Sequence, residues 1–181
     1  MRISIPDNTI DTCISIQTND FSLSDEYQTL LNDCPAIGAV VTFVGLVRDF
    51  NEGDDVTGLF LEHYAGMTEK VLQSICNEAH ERWSLQRIRI IHRIGELQPA
   101  DQIVLVGVSS AHRGDAFAAC EFIMDFLKTR APFWKKEQTP TGGRWVDARA
   151  SDESAAARWQ QTDTKPNHEP SPPDSYKRIE T

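Results

Sequence analysis

The sequence predicts an α+β domain. Three β-branched apolar runs, at 37–48, 87–97 and 103–110, have the composition of buried strands. Two long stretches, Met67 to Trp83 and Ala116 to Leu127, repeat apolar residues at helical spacing. Strands also follow one another directly in the chain, which an alternating parallel α/β order would not give. At 181 residues the chain suits one domain. Its expected bounds are 1–161, with 162–181 as an appended tail.

The elements follow in order. TCISIQ (12–17) alternates as a strand, and SDEYQTLLND reads as a short helix with Ser24 as candidate N-cap. IGAVVTFVGLVR (37–48) is a buried strand that runs into DFNEGDD, a polar loop expected to be mobile. VTGLFLEHY (56–64) alternates as the next strand. The following helix carries Val71, Ile75 and Ala79 at four-residue spacing, with Thr68 and Glu69 near its start. RIRIIHRIGEL (87–97) reads as one strand, QPAD as a turn, and IVLVGVSS (103–110) as another strand. Ala116, Cys120, Ile123 and Leu127 mark one face of the second long helix, which Pro132 ends because it lacks an amide donor and clashes with the preceding turn. FWKKEQT and RWVDAR flank PTGG as a hairpin. SDESAAARWQQ forms a last helix capped by Ser151, with acids in its first turn. The tail then packs four of the chain's nine prolines into polar sequence and is expected to be disordered.

Charge narrows the function classes. With 27 acidic against 18 basic residues, the net charge of -9 argues against general nucleic-acid binding, which needs a broad basic surface. A small anion is still admissible, because a local pocket can be positive on a negative protein. Cys13, Cys34, Cys76 and Cys120 are widely spaced and lack metal-site spacing, so neither a metal nor a disulfide framework is expected. Cys76 and Cys120 fall in helical patterns and read as small buried hydrophobes. Met67, Phe117, Phe122 and Met124 sit at helical spacing and read as core. The start, MRISIPDNTID, lacks the apolar stretch of a signal peptide, and no run approaches a membrane span; a reducing cytoplasm is the expected location.

Three stretches carry candidate chemistry. LKTRAPFWKKE sets Lys128, Arg130, Lys135 and Lys136 into eleven residues of this acidic chain. Lys128 falls near a helix C-terminus, where a cation also suits the helix dipole. In the strand that follows, side chains alternate, so Lys135 and Glu137 share one face and Lys136 takes the other. SSAHRGDAF places His112 and Arg113 where a strand hands over to a helix, whose free amides favour an anion. A strand-end histidine and a surface arginine would look the same, and this stretch alone leaves both open. In GLVRD, Arg48 ends a buried strand with a head group able to fork onto phosphate or carboxylate, or simply to meet solvent. From pattern alone the result is an anion pocket of unspecified chemistry.

Taken together, GAVVTFVGLVRDFNEG, LEHYAGMTEK, IHRIGEL, SSAHRGDAFAACEFIMDFLKTRAPFWKKE and RWVDAR resemble the large, catalytic subunit of molybdopterin synthase, in order from about Gly38 to Trp159. The resemblance implies an α/β hammerhead-type fold with mixed, largely antiparallel strands and two long helices. It implies a sulfurtransferase that converts cyclic pyranopterin monophosphate to the dithiolene of molybdopterin, in molybdenum cofactor biosynthesis. Sulfur would arrive as the C-terminal glycine thiocarboxylate of a small ubiquitin-like sulfur-carrier partner, so no cofactor and no cysteine nucleophile is called for. The substrate contacts it implies are Leu46, Val47, Arg48, His112, Arg113, Lys128, Lys135, Lys136 and Glu137, with Lys128 and Lys135 catalytic. Leu46 departs from the lysine often found there, which puts more of the phosphate binding on Arg48. A homodimer within a heterotetramer is implied, with Arg144 or Arg149 reaching across from the neighbouring subunit.

A lysine ionises near pH 10.4 in isolation, and neighbouring cations in a partly buried pocket would make it a better base. The competing class is a non-catalytic module that binds a phosphoanion or a ubiquitin-like protein, for which the cation cluster alone would suffice.

Overall fold

The computed structural model describes residues 11–31, 34–51, 54–55, 57–140, 142–146 and 150–160. Its strands are β1 (Asp11–Gln17), β2 (Ala39–Leu46), β3 (Phe50–Asn51), β4 (Asp54–Asp55), β5 (Gly58–His63), β6 (Leu85–Arg93), β7 (Gly95–Leu97), β8 (Gln102–Ser110), β9 (Phe133–Thr139) and β10 (Gly142–Val146). The helices are α1 (Leu23–Leu31), α2 (Met67–Arg82), α3 (Arg113–Arg130) and α4 (Ala150–Ala157), the last running into a short 3₁₀ turn, Arg158–Gln160.

The strands form two four-stranded sheets and one small ladder. The first sheet has the order β1-β6-β8-β2, and the second β10-β9-β5-β7. Only β1 and β6 run parallel; every other pairing is antiparallel. The α+β expectation therefore holds, with α2 and α3 as the two long helices. Part of the polar loop after β2 is ordered as the β3–β4 ladder, where Phe50 pairs with Asp55 and Asn51 with Asp54.

The main core lies between the first sheet and α2 and α3. Ile88 and Ile90 of β6 and Val104, Val106 and Val108 of β8 meet Leu72, Ile75 and Ala79 of α2 and Ala119, Phe122, Ile123 and Phe126 of α3. On the opposite face α1 lays Leu30 over Gly107, where a Cβ would stand 2.5 Å from Leu30 Cδ1. Glycine is needed there because the helix comes that close. Arg89 pins the same helix by pairing through its guanidinium with Glu26 and donating to Ser15 Oγ at 2.8 Å.

Several element boundaries differ from the sequence reading. Ser22, not Ser24, caps α1: its Oγ accepts from Asp25 N at 3.4 Å, and its carbonyl from Glu26 N at 3.1 Å. The stretch 87–97 is two strands in two different sheets, because Gly95 at φ 83 turns the chain out of β6 and into β7. The hairpin strand is 142–146 rather than 144–149, and 147–149 lie outside the described residues. Helix α4 begins at Ala150, so Ser151 lies within it and does not cap it. Two residues read as core are open to solvent: Phe117 is 64% exposed and Met67 54%. Phe122 is fully buried as expected, and Met124 packs at the core's margin. Pro132 does end α3, with Ala131 already extended at φ -74 and ψ 128, as a residue before proline prefers. The tail 162–181 lies outside the described residues.

Candidate active site

Helix α3 and strand β2 run in the same direction across the first sheet. Both are antiparallel to β8, the strand from which α3 returns. Between them is a groove of ≈ 430 Å³, lined by Val41 and Phe43 of β2 and by Phe117, Met124 and Lys128 of α3. Lys128 sits in the last turn of α3, where its charge complements the helix dipole, and its Nζ lies 3.2 Å from Asp152 Oδ1 of α4. Glu121 and Asp125, both paired with Arg158, also line it, so the groove joins an apolar wall to a charged rim that includes Lys128. Cys120 also lines it, but burial pushes that thiol up to about 12, so it stays protonated at neutral pH.

The end of β2 is fixed by the turn that precedes β8. Val47 N donates to Asp101 O at 2.9 Å, and Val47 O accepts from Ala100 N at 2.8 Å. Ala100 takes φ 73 to make this contact, a left-handed conformation that costs an L-residue about 1–2 kcal/mol. Val47 is buried against Leu59 and Leu61 of β5 and Leu97 of β7. Leu46 and Arg48 on either side of it are exposed. The sequence reading placed all three together as ligand contacts; here Val47 is a structural anchor, and its neighbours face outward.

The second sheet brings the remaining lysines into relation. Alternation along β9 holds as expected: Lys135 Nζ lies 3.3 Å from Glu137 Oε1 on one face. Lys136 lies on the other, 5.6 Å from the Trp145 ring centroid. Leu61 pairs in register with Lys135 and Leu59 with Glu137, so the buried Val47 packs on the same face as these two. Lys135 is therefore on the side of the sheet that meets the end of β2. The nearest charge to it is a carboxylate, not the second cation that the clustered sequence suggested. Arg144 of β10 is engaged within its own chain, with Nη2 3.2 Å from Glu137 Oε2. Arg149 lies outside the described residues.

His112 and Arg113 stand apart from this group. His112 is the N-cap residue of α3, and its N–H donates to Ser110 Oγ at 3.2 Å. With Arg113, Gly38 and Gly114 it lines a depression of ≈ 530 Å³. Lys128 is fifteen residues further along the same helix, an axial separation of about 22 Å. Within one copy of the chain, Lys128 and the pair His112 and Arg113 therefore stand at opposite ends of α3, while Arg48 follows Val47, which packs on the Leu61 that pairs with Lys135.

Sequence reasoning missed Phe43, Asp152 and the Ala100–Asp101 clamp. It also read Met124 and Phe117 as core. An apolar residue at the rim of a groove carries the same sequence signal as one beneath it. Asp152, by contrast, is an acid in a helix's first turn, and its contact with Lys128 depends on how α4 docks. Among the described residues there is no group of three or more His, Cys, Asp or Glu side chains placed to hold a metal ion. No helix among them is long and apolar enough to cross a membrane.

The fold is that of an α+β protein with Lys128 beside the β2–α3 groove and Lys135 on the face of the second sheet that meets the end of β2. Residues 16–130 match the family model described as MoaE protein. The molybdopterin synthase catalytic subunit of Vibrio cholerae is 64% identical over 151 residues, covering 83% of this chain and 100% of that protein. The molybdopterin biosynthesis MoaE protein from Burkholderia ambifaria superposes with a TM-score of 0.71 at 55% identity, over 83% of this chain and 99% of that one. A complex of subunits 1 and 2 of the molybdopterin-converting factor from Helicobacter pylori shares the fold at TM-score 0.63 and 18% identity, over 75% of this chain and 91% of that one. The chain belongs to the MoaE family.

Proposed function

We propose that the chain is the catalytic subunit of a molybdopterin synthase, which forms the dithiolene of molybdopterin by transferring sulfur to cyclic pyranopterin monophosphate. The donor is the C-terminal glycine thiocarboxylate of a small ubiquitin-like partner. The observation that carries this reading is the groove between β2 and α3, which sets Phe43, Phe117 and Met124 beside the ammonium of Lys128, with Glu121 and Asp125 of its rim paired to Arg158. An extended peptide ending in an anion fits such a trough: its chain meets Phe43, Phe117 and Met124, and its terminus meets the ammonium.

Charge supplies the mechanism. The thiocarboxylate sulfur attacks a side-chain carbon of the pterin as its C–O bond to the cyclic phosphate breaks, which moves negative charge onto phosphate oxygens, and water then cleaves the resulting thioester to leave sulfur on the pterin and a carboxylate on the partner. Cations already fixed at those oxygens stabilise the transition state more than the ground state. Arg48 follows Val47, which packs on the leucines that pair with Lys135 and Glu137. Lys128 and Lys135 are the proton-transfer and charge-stabilising groups, and Arg48 binds phosphate.

His112 and Arg113 contribute to the site of a second copy in a homodimer. The support is their position about 22 Å along α3 from Lys128, too far for one bound substrate to meet both within a chain. Arg149 is a further candidate to reach across. The expected assembly is a homodimer with one small subunit on each copy.

The test is reconstitution. The protein is mixed with thiocarboxylated partner and cyclic pyranopterin monophosphate, and dithiolene product is measured. Product formed in proportion to thiocarboxylate consumed is the expected result. Tight binding of both partners with no product would instead make the chain a non-catalytic binding module.

A further inference from the structure

We propose that Glu137 is a positioning residue, holding Lys135 and Arg144 as a two-armed clamp for anionic oxygens. The Glu137 side chain is 4% exposed, whereas those of Lys135 and Arg144 are 37% and 42% exposed. The carboxylate thus lies beneath two cations that open toward solvent. Its Oε1 takes Lys135 at 3.3 Å and its Oε2 takes Arg144 at 3.2 Å.

Strand geometry makes this arrangement. Lys135 and Glu137 are two residues apart on β9 and so share a face. Arg144 is the residue of β10 directly paired with Glu137. From β5 the same face receives Leu59 and Leu61, which pair with Glu137 and Lys135, and the titratable His63, which pairs with Phe133. Val47 packs on those leucines, so the clamp adjoins the strand end that carries Arg48.

A covered carboxylate has two consequences. It keeps its negative charge covered, so Glu137, expected from the sequence as a substrate contact, acts in this proposal through Lys135 and Arg144. It also demands its cations, because a buried charge left unpaired is strongly destabilising. Two long flexible side chains are therefore ordered before substrate arrives, which lowers the entropy cost of gripping it. The two partly exposed side chains, Lys135 and Arg144, present positive charge outward. That charge suits oxygens of a phosphate or of a terminal thiocarboxylate.

This inference rests on the sulfur-transfer reading, but the two fail differently. A wild-type protein that makes no dithiolene refutes the reading, whereas the clamp is judged only by variants compared with active wild type. The experiment is single-turnover dithiolene formation by the reconstituted synthase across pH, for Glu137→Gln and Arg144→Ala. Removing the carboxylate makes the neighbouring ammonium easier to deprotonate, while removing the arginine makes it harder. Whichever limb of the profile Lys135 governs should move to lower pH in Glu137→Gln and to higher pH in Arg144→Ala.

Opposite shifts are not what a merely damaged fold produces. If Glu137→Gln fails to fold, the half-exposed Arg144→Ala decides alone, with an upward shift supporting the clamp and an unmoved limb overturning it. Titrating pyranopterin and partner separately with Arg144→Ala shows which anion the clamp grips, by which KM rises. A limb unmoved in both variants, with KM unchanged for both substrates, overturns the proposal.

Discussion

Lys135 and Lys136 are adjacent in the chain and opposite in the fold. Lys135 shares a face with Glu137 and the end of β2, while Lys136 lies over Trp145 on the open face. Lys128→Ala and Lys135→Ala should therefore each slow single-turnover sulfur transfer about a hundredfold or more, and Lys136→Ala only mildly. Equal, mild defects in all three would remove the assignment. This alternation was legible from the sequence because a strand has a fixed period. The carboxylate partner of Lys128 was not, since Asp152 reaches its lysine only through the docking of α4.

A second residue-scale consequence concerns acid. His92 is buried against Phe133, with ring centroids 3.7 Å apart, and its Nδ1 donates to Arg93 O at 2.9 Å. Burial is the main reason its pKa falls from 6.5 to about 4, with His63 adding a smaller push in the same direction. Between those values the unfolded chain takes up a proton that the folded chain refuses, so folding stability falls as pH drops through this window. The full loss is roughly 3 kcal/mol, on the order of two and a half pKa units of linkage. Urea unfolding at pH 7 and pH 4.5 should show it in the wild type and a smaller difference in His92→Phe. An identical pH dependence in both would show that His92 is not the titrating group.

At the scale of elements, long periodic stretches were readable and changes of direction were not. Strands β2, β5 and β8 and helices α2 and α3 appear within a few residues of where apolar periodicity places them. The run 87–97 looked like one strand because its apolar pattern continues across Gly95. Yet Gly95 is where the chain leaves the first sheet for the second. Its left-handed φ of 83 is the physical requirement, and a Cβ there would meet nothing closer than Thr18 Cγ2 at 3.8 Å. Gly95→Ala should therefore cost about 1–2 kcal/mol from backbone strain alone. Chemical denaturation measures this directly; an unchanged midpoint would mean the turn relaxes into another conformation. The β2–α3 groove was also invisible in sequence. Its walls are Phe43, Phe117 and Met124, which differ from core residues only in what fails to cover them.

At the scale of the whole molecule, α3 sets the layout. Its C-terminal turn presents Lys128 beside the groove, and its N-terminus presents His112 and Arg113 about 22 Å away. The sequence offered all of these as anion-binding candidates, and matched family motifs at each. Nothing in a linear pattern says that two motifs on one helix serve different sites, since that follows from the helix's length and its direction against β2. A twofold assembly in which each copy lends its α3 N-terminus to the other would unite them. Mixing subunits tests this most directly. His112→Ala and Lys128→Ala proteins, each nearly inactive with thiocarboxylated partner and cyclic pyranopterin, are unfolded together, refolded as mixed dimers and assayed for dithiolene. If the site spans two copies, half of the random dimers carry one intact site, and about a quarter of wild-type activity returns. If both residues act within one copy, every site in the mixture lacks one of them, and activity stays at the level of the separate variants.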